Sequence, residues 1–195
     1  MKTIQELLQG LDACGPAKEW AKNKTIEEIV DQCHKGDWLL CLAFKMNLNF
    51  KLLILAIAKC VKTVDYLMKD QRSIDALNLT ERFGLGDKVS LDDLKSAAKN
   101  ARAATYNKHN DAYAAATAVT CTIDLAAVDD AAYATAVATH AITRAAAAAS
   151  YAAYYSGTYD DAIVARIKNE KQTADICRET FGKKLIESIN NYLKN

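Results

Sequence analysis

Apolar residues recur every three to four positions along almost the whole chain, and no stretch alternates apolar and polar residues with a period of two. Both observations predict an all-α protein. Ile4, Leu7, Leu8 and Leu11 share one face of an amphipathic helix that Cys14-Gly15-Pro16 breaks, and a short helical piece carries Trp20. Thr25-Ile26-Glu27-Glu28 has the form of a capping box, in which hydroxyl and carboxylate satisfy each other's backbone donors. It opens a helix ending near Gly36, and Asp37 is placed to cap the next, over 38–46. Asn49 starts a helix over 50–68 whose Leu52, Leu53, Ile54, Leu55, Ile57, Val61 and Val64 make it apolar around much of its circumference, as a central core helix would be. Ser73 is placed to cap a helix running to Phe83, and Gly84-Leu85-Gly86-Asp87-Lys88 reads as a helix end and an internal boundary.

From Leu91 to Tyr155, 25 of the 65 residues are Ala, with no Gly or Pro among them. Ala loses no side-chain entropy in a helix, so such a tract is helical wherever packing puts it. Ser90 caps it and Asp92 and Asp93 favour the positive end of the helix dipole. A helix from Leu91 to about Val119 would span roughly 45 Å. Thr120-Cys121-Thr122-Ile123-Asp124 is β-branched or Cys up to a potential cap, which predicts a turn or, as the competing form, a kink in one continuous helix. A second helix then runs from Leu125 to Ser156, with Gly157 as a left-handed end residue. Small side chains let the two helices approach closely as an antiparallel hairpin. Thr158-Tyr159-Asp160-Asp161 opens a further helix, with Ile163, Ile167, Ala174, Ile176, Cys177 and Phe181 as its apolar positions. Gly182 interrupts it before a last amphipathic set, Leu185, Ile186, Ile189 and Leu193. The pattern predicts an all-α multi-helix bundle built around a long alanine-rich helical hairpin. It forms a single domain over 1–195, or else divides into an N-terminal helical half, 1–86, and an alanine-rich half, 87–195.

A formal net charge of +1 gives no electrostatic reason to expect a nucleic-acid partner. The lysines and arginines of the C-terminal region (Lys168, Lys171, Arg178, Lys183, Lys184) are interspersed with Asp160, Asp161, Glu170 and Glu179, as on a solvated face. The longest apolar run, Leu52 to Ala58, is far short of the ~20 residues that cross a bilayer. The N-terminus carries an acid at Glu6 and no signal-peptide pattern. Six irregularly spaced cysteines with no C-x-x-C suit free thiols in a reducing compartment. The expectation is a cytoplasmic protein without cofactor or membrane partner.

Candidate chemistry is sparse. Gly84-Leu85-Gly86-Asp87-Lys88-Val89-Ser90 lacks the preceding strand and third glycine of a dinucleotide fingerprint. Cys33, His34 and Cys41 lack the paired short spacing of a zinc site. On the tract, Tyr133, Val137, His140, Arg144 and Tyr151 follow at spacings of four, three, four and seven, which is one helical stripe, and Asp129 and Asp130 precede it. Tyr106 and Tyr113 share a face of the first tract helix, beside Asn107, Asn110 and Asp111. Three readings of the His140 constellation stand open: a hydrogen-bonded histidine in a helix seam, a partner-binding patch with Tyr and Arg as anchors, and an enzyme site pairing His140 with Asp129 or Asp130. No nucleophile or oxyanion turn accompanies the last. The cluster Tyr151, Tyr154, Tyr155 and Tyr159 suits a core edge or an interface, with the core edge as the expectation.

Three segments carry a family resemblance: Asp37-Trp38-Leu39-Leu40 followed by the apolar helix Leu52 to Cys60; Arg72-Ser73-Ile74-Asp75-Ala76-Leu77; and Lys171-Gln172-Thr173-Ala174-Asp175-Ile176-Cys177-Arg178-Glu179 after the Ala/Tyr tract. In this order they resemble the Imm-5-like family of immunity proteins from bacterial polymorphic toxin systems, over about 17–181. The chain departs from that pattern in its Lys and Asn content and at Thr120 to Asp124. The resemblance implies a non-enzymatic protein that neutralises a toxin by binding it, and it carries over no catalytic residue. Asp129, Asp130, Tyr133, His140 and Arg144 are the candidate partner-binding residues. The alternative is an accessory or inhibitor protein of a phage or mobile element that binds a host protein or a small nucleotide ligand. A homodimer is a further option for flat Ala-rich faces.

Overall fold

The computed structural model describes residues 3–104 and 131–194, and it is helical throughout, with no strand among the described residues. Helix α1 (Ile4–Gly10) is opened by a capping box between Thr3 and Glu6. Helix α2 (Gly15–Trp20) carries Pro16 in its first turn, where a missing N–H costs nothing. Helix α3 (Ile26–Gln32) has the predicted Thr25–Glu28 box. Helices α4 (Gly36–Lys45) and α5 (Phe50–Lys62) follow, α5 capped by Asn49, and a 3₁₀ turn (Asp65–Leu67) leads to α6 (Gln71–Leu85). Gly86, at φ 95°, ends α6 in the left-handed conformation. The Ser90 hydroxyl accepts from the Asp93 amide at the head of α7 (Leu91–Ala104). Beyond it lie α8 (Ala131–Ser156), α9 (Tyr159–Cys177), a π turn (Arg178–Gly182) and α10 (Lys183–Lys194).

Four local expectations are corrected. Helix α4 begins one residue before Asp37, which sits in its first turn and not at its cap. Helix α6 is capped by Asp70, whose carboxylate accepts from the Arg72 amide at 3.0 Å and is clamped by the Arg72 guanidinium. Ser73, expected as that cap, is buried inside the helix. Gly157 is not left-handed; its missing Cβ leaves room for the Asp161 carboxylate, whose oxygen lies 2.6 Å from where a Cβ would stand and which closes the Thr158 capping box. Gly182 does not interrupt the last helix, which runs on through the π turn.

Helix α5 is the centre of the core, as its pattern predicts: every residue from Leu53 to Ala58 is buried. Leu39 and Leu40 of α4, Leu77 of α6, Leu94 of α7, Phe181 of the π turn and Leu185 of α10 close around it, all fully buried. Each such side chain contributes about 1.5–3 kcal/mol by leaving water. The same core cluster takes in residues from Leu7 to Ile189, so it draws on both halves of the chain. Two glycines set close helix approaches. A Cβ on Gly84 would lie 2.7 Å from the Leu55 backbone nitrogen, and one on Gly36 would lie 2.8 Å from the Thr173 carbonyl carbon. Gly84 therefore belongs to the α5–α6 contact and not to a linker.

The described parts of the alanine tract pack differently from one another. Helix α7 lies against α6, whereas α8 lies against α9, α4 and α5. The predicted turn at Thr120 to Asp124 falls outside the described residues. Among the described side chains of α8 the buried positions are Ala141, Ile142, Ala145, Ala146, Ala148 and Ala149, a seam of small side chains apart from Ile142. Its partner α9 answers with Ala162, Asn169, Thr173, Ala174 and Cys177. Asn169 Nδ2 donates to Thr63 Oγ1 at 2.8 Å and ties this hairpin to the end of α5.

Candidate protein-binding surface

Of the five candidate residues, the structure brings His140 and Arg144 together. They stand one turn apart on α8, His140 exposed and Arg144 half-buried. Arg144 Nε donates to His140 Nε2 at 2.9 Å. Partial burial, and then the neighbouring guanidinium charge, hold the imidazole below its ordinary value. The ring is thus held neutral with its acceptor nitrogen engaged, the atom a general base would use. Tyr133 lies in α8, but its side chain is outside the described residues. So are Asp129 and Asp130, and Tyr106, Asn107, Asn110, Asp111 and Tyr113 of the first tract helix.

The largest departure from expectation is the tyrosine cluster. Tyr151, Tyr154, Tyr155 and Tyr159 are not at a core edge: they are 41 to 70% exposed. Tyr154 and Tyr155 meet edge to face at 5.5 Å between ring centres. Three aliphatic residues that sequence reasoning missed as surface join them on α9. Ile163, Val164 and Ile167 are exposed, Val164 at 63% and Ile167 at 58%. Tyr159, Ile163 and Ile167 are four residues apart and form one stripe. From 151 to 168 only Ala162 is buried, so the end of the α8–α9 hairpin presents its large side chains to solvent. The signal was available: a seam built of Ala on α8 has no room for Tyr or Ile, so these must point away.

The resemblance segment Ala174 to Glu179 serves the interior. Arg178 is not on a solvated face. Its guanidinium donates to the carbonyls of Val30 and Cys33 at the end of α3, and it pairs with Asp175. The Cys177 thiol donates to the Gly36 carbonyl at 3.6 Å, and the Cys60 thiol to the Thr173 carbonyl at 3.6 Å. The hydrogen bond with Cys60, and then burial, push the Cys177 thiol well above the ordinary range, and burial pushes Cys33 up to about 11. Protonated, enclosed thiols are poor nucleophiles. Cys14, Cys33, Cys41, Cys60 and Cys177 are all free, and Cys121 lies outside the described residues. Burial also raises the Asp37 carboxyl, against the charge of Lys35.

Among the described residues no group of three or more His, Cys, Asp or Glu side chains could hold a metal ion. Among them, too, no helix is long and apolar enough to cross a membrane. Set beside protein-family models, curated proteins and solved structures, the chain matches none of them.

Proposed function

We propose that this protein acts by binding another protein through the exposed face at the end of the α8–α9 hairpin, and that the bound protein is a toxin which it neutralises by covering it. One observation carries the reading: four tyrosines and three aliphatic side chains stand in solvent where two helices turn. The tyrosines alone present on the order of 500 Å². That is more than half of the ~800 Å² which one side of a standard interface buries. Tyr combines apolar area with a hydroxyl that keeps the free surface wetted, and Tyr and Arg are frequent interface anchors. The His140–Arg144 pair on the same helix extends the surface with a planar cation. The rigid Ala seam beneath keeps the face preformed, so little ordering is lost on binding. The toxin as partner rests on the resemblance of the sequence to Imm-5-like immunity proteins.

The test is capture of a partner from lysate of the source by tagged protein, followed by expression of the captured protein alone and together with this one. The expected result is one stoichiometric protein that stops growth alone and not in company. A Tyr154→Ala, Tyr159→Ala, Val164→Ser variant should lose both capture and protection. A captured protein without toxicity would overturn the toxin assignment, and capture unchanged in the variant would overturn the surface.

A further inference from the structure

An apolar cavity lies among α1, α2, α3 and α4, lined by side chains that the α8–α9 surface does not use. These helices enclose a cavity of about 80 Å³, walled by Leu8, Trp20, Ile29, Trp38 and Leu42. The two indoles meet edge to face at 6.1 Å. Apart from the thiols of Cys14, Cys33 and Cys41 and the indole N–H groups of Trp20 and Trp38, its one polar group is the Lys45 ammonium. A water molecule needs two to four polar partners to be held in a cavity, so this one favours an apolar guest. Its size selects among such guests. It is about half of the ~150 Å³ of an apolar cavity that takes up benzene. An aliphatic chain, narrower than a ring, is the better fit.

The rim supplies the second half of the argument. Lys45 lines the cavity and is exposed, and it makes no ion pair among the described residues. Its neighbours are otherwise occupied. Lys35 pairs with Glu170 and lies over the Trp38 ring at 5.6 Å, and Lys24 lies over the Trp20 ring at 5.2 Å. The opening therefore offers one uncommitted cation beside an apolar hollow. An aliphatic chain with an anionic end matches both features at once.

We infer that this cavity binds a free medium-chain carboxylate, the first part of its tail seated in the hollow against the touching indoles of Trp20 and Trp38 and its carboxylate on Lys45 Nζ. The affinity should rise about fourfold for each methylene that enters the hollow and stop rising once the hollow is filled. The chain holds two tryptophans, and both line the cavity, so indole fluorescence reports this site alone.

The experiment titrates octanoate, and separately octanol, into the full chain and follows that fluorescence. Octanoate should give a saturable change, and octanol should bind at least about tenfold more weakly, a charge-assisted contact being the difference. Lys45→Met should weaken octanoate to the level of octanol and leave octanol unchanged. Ala17→Phe, which fills the hollow from α2, should abolish both, with the helical circular dichroism intact. If that variant does not fold, the Lys45→Met comparison decides. No saturable change in the parent protein, equal binding of octanol and octanoate, or octanoate binding indifferent to Lys45→Met would each overturn the inference.

Discussion

Helix α5 and the α8–α9 hairpin solve the same problem in opposite ways. Around α5 the large side chains are inside: Leu53, Ile54 and Ile57 fill the space between helices, and small residues such as Gly84 serve only where backbones nearly touch. In the hairpin the small side chains are inside, Ala145 and Ala148 on α8 and Ala162 and Ala174 on α9, with Ile142 as the one large exception among the described side chains, while Tyr154, Tyr155, Tyr159, Val164 and Ile167 stand in water. The first arrangement gains stability from apolar area removed from solvent. The second gains less from burial, and it leaves its tyrosines and aliphatics available to another molecule. Apolar residues on a helix thus do not by themselves mark its buried face; the size of what lies opposite decides.

Substitutions can probe that contrast from its strongest consequence downwards. Ile57→Ala should cost about 2–5 kcal/mol in denaturant unfolding, since it opens a cavity in a filled core. A cost below about 1 kcal/mol would mean that the centre is not at α5. Ala145→Leu is the converse, volume added to a seam already closed, and should cost about 1–3 kcal/mol. Thr158→Ala removes the capping box at the head of α9 and should cost about 1 kcal/mol. Ile167→Ser should change stability by no more than about 0.5 kcal/mol, because the side chain it replaces is already in water. A loss comparable to that of Ile57→Ala would place Ile167 in the core and end the comparison.

The smallest effect is a dependence on pH. The folded imidazole of His140 lies below the ordinary 6.5, so on acidification the unfolded chain takes up its proton first. The stability this neutral ring contributes is complete above 6.5 and is lost as the pH falls through that value towards the folded one. His140→Gln should remove this part of the slope in thermal midpoint between about pH 7 and pH 5. An unchanged slope would show that the folded chain does not hold the His140 imidazole below its ordinary value.

The capping box at Thr25, the helix start at Thr158, the cap at Ser90 and the apolar centre of α5 were legible in the sequence because each is local: the partner lies within one turn. The caps of α4 and α6 were misplaced because a near neighbour competes. Asp70 precedes Ser73 and has Arg72 to fix it, while the approach of Thr173 holds Gly36 at the start of α4. Arg178 was read as a surface charge, and the Cys177 thiol, rightly read as an apolar position, was given no partner, because Val30, Cys33 and Gly36 lie far away in sequence. Of the site, the stripe from His140 to Arg144 was visible as periodicity. The exposure of Tyr159 and Ile167 was missed, because its signal, the mostly alanine face that α8 turns to the seam, lies on a different helix from the residues it exposes.

The π turn at Arg178–Gly182 lets the protein absorb one residue of chain length at one place. A π turn bonds each residue to the fifth along and so takes in one residue more than an α turn, which advances about 100° per residue. The helix before it turns Ala174 and Cys177 towards α4 and α5, and the helix after it turns Leu185 and Ile189 into the core beside α3. The extra residue is the phase correction between these two directions. Winding the same residues as plain α-helix would rotate everything beyond the turn by about 100° and carry Leu185 and Ile189 towards solvent. Deleting exposed Glu179 removes the extra residue together with the π turn, so the two changes cancel and both side chains keep their direction. The fold keeps count there by length: one residue can be lost inside the turn, whereas the same deletion within either flanking helix would turn a buried face away.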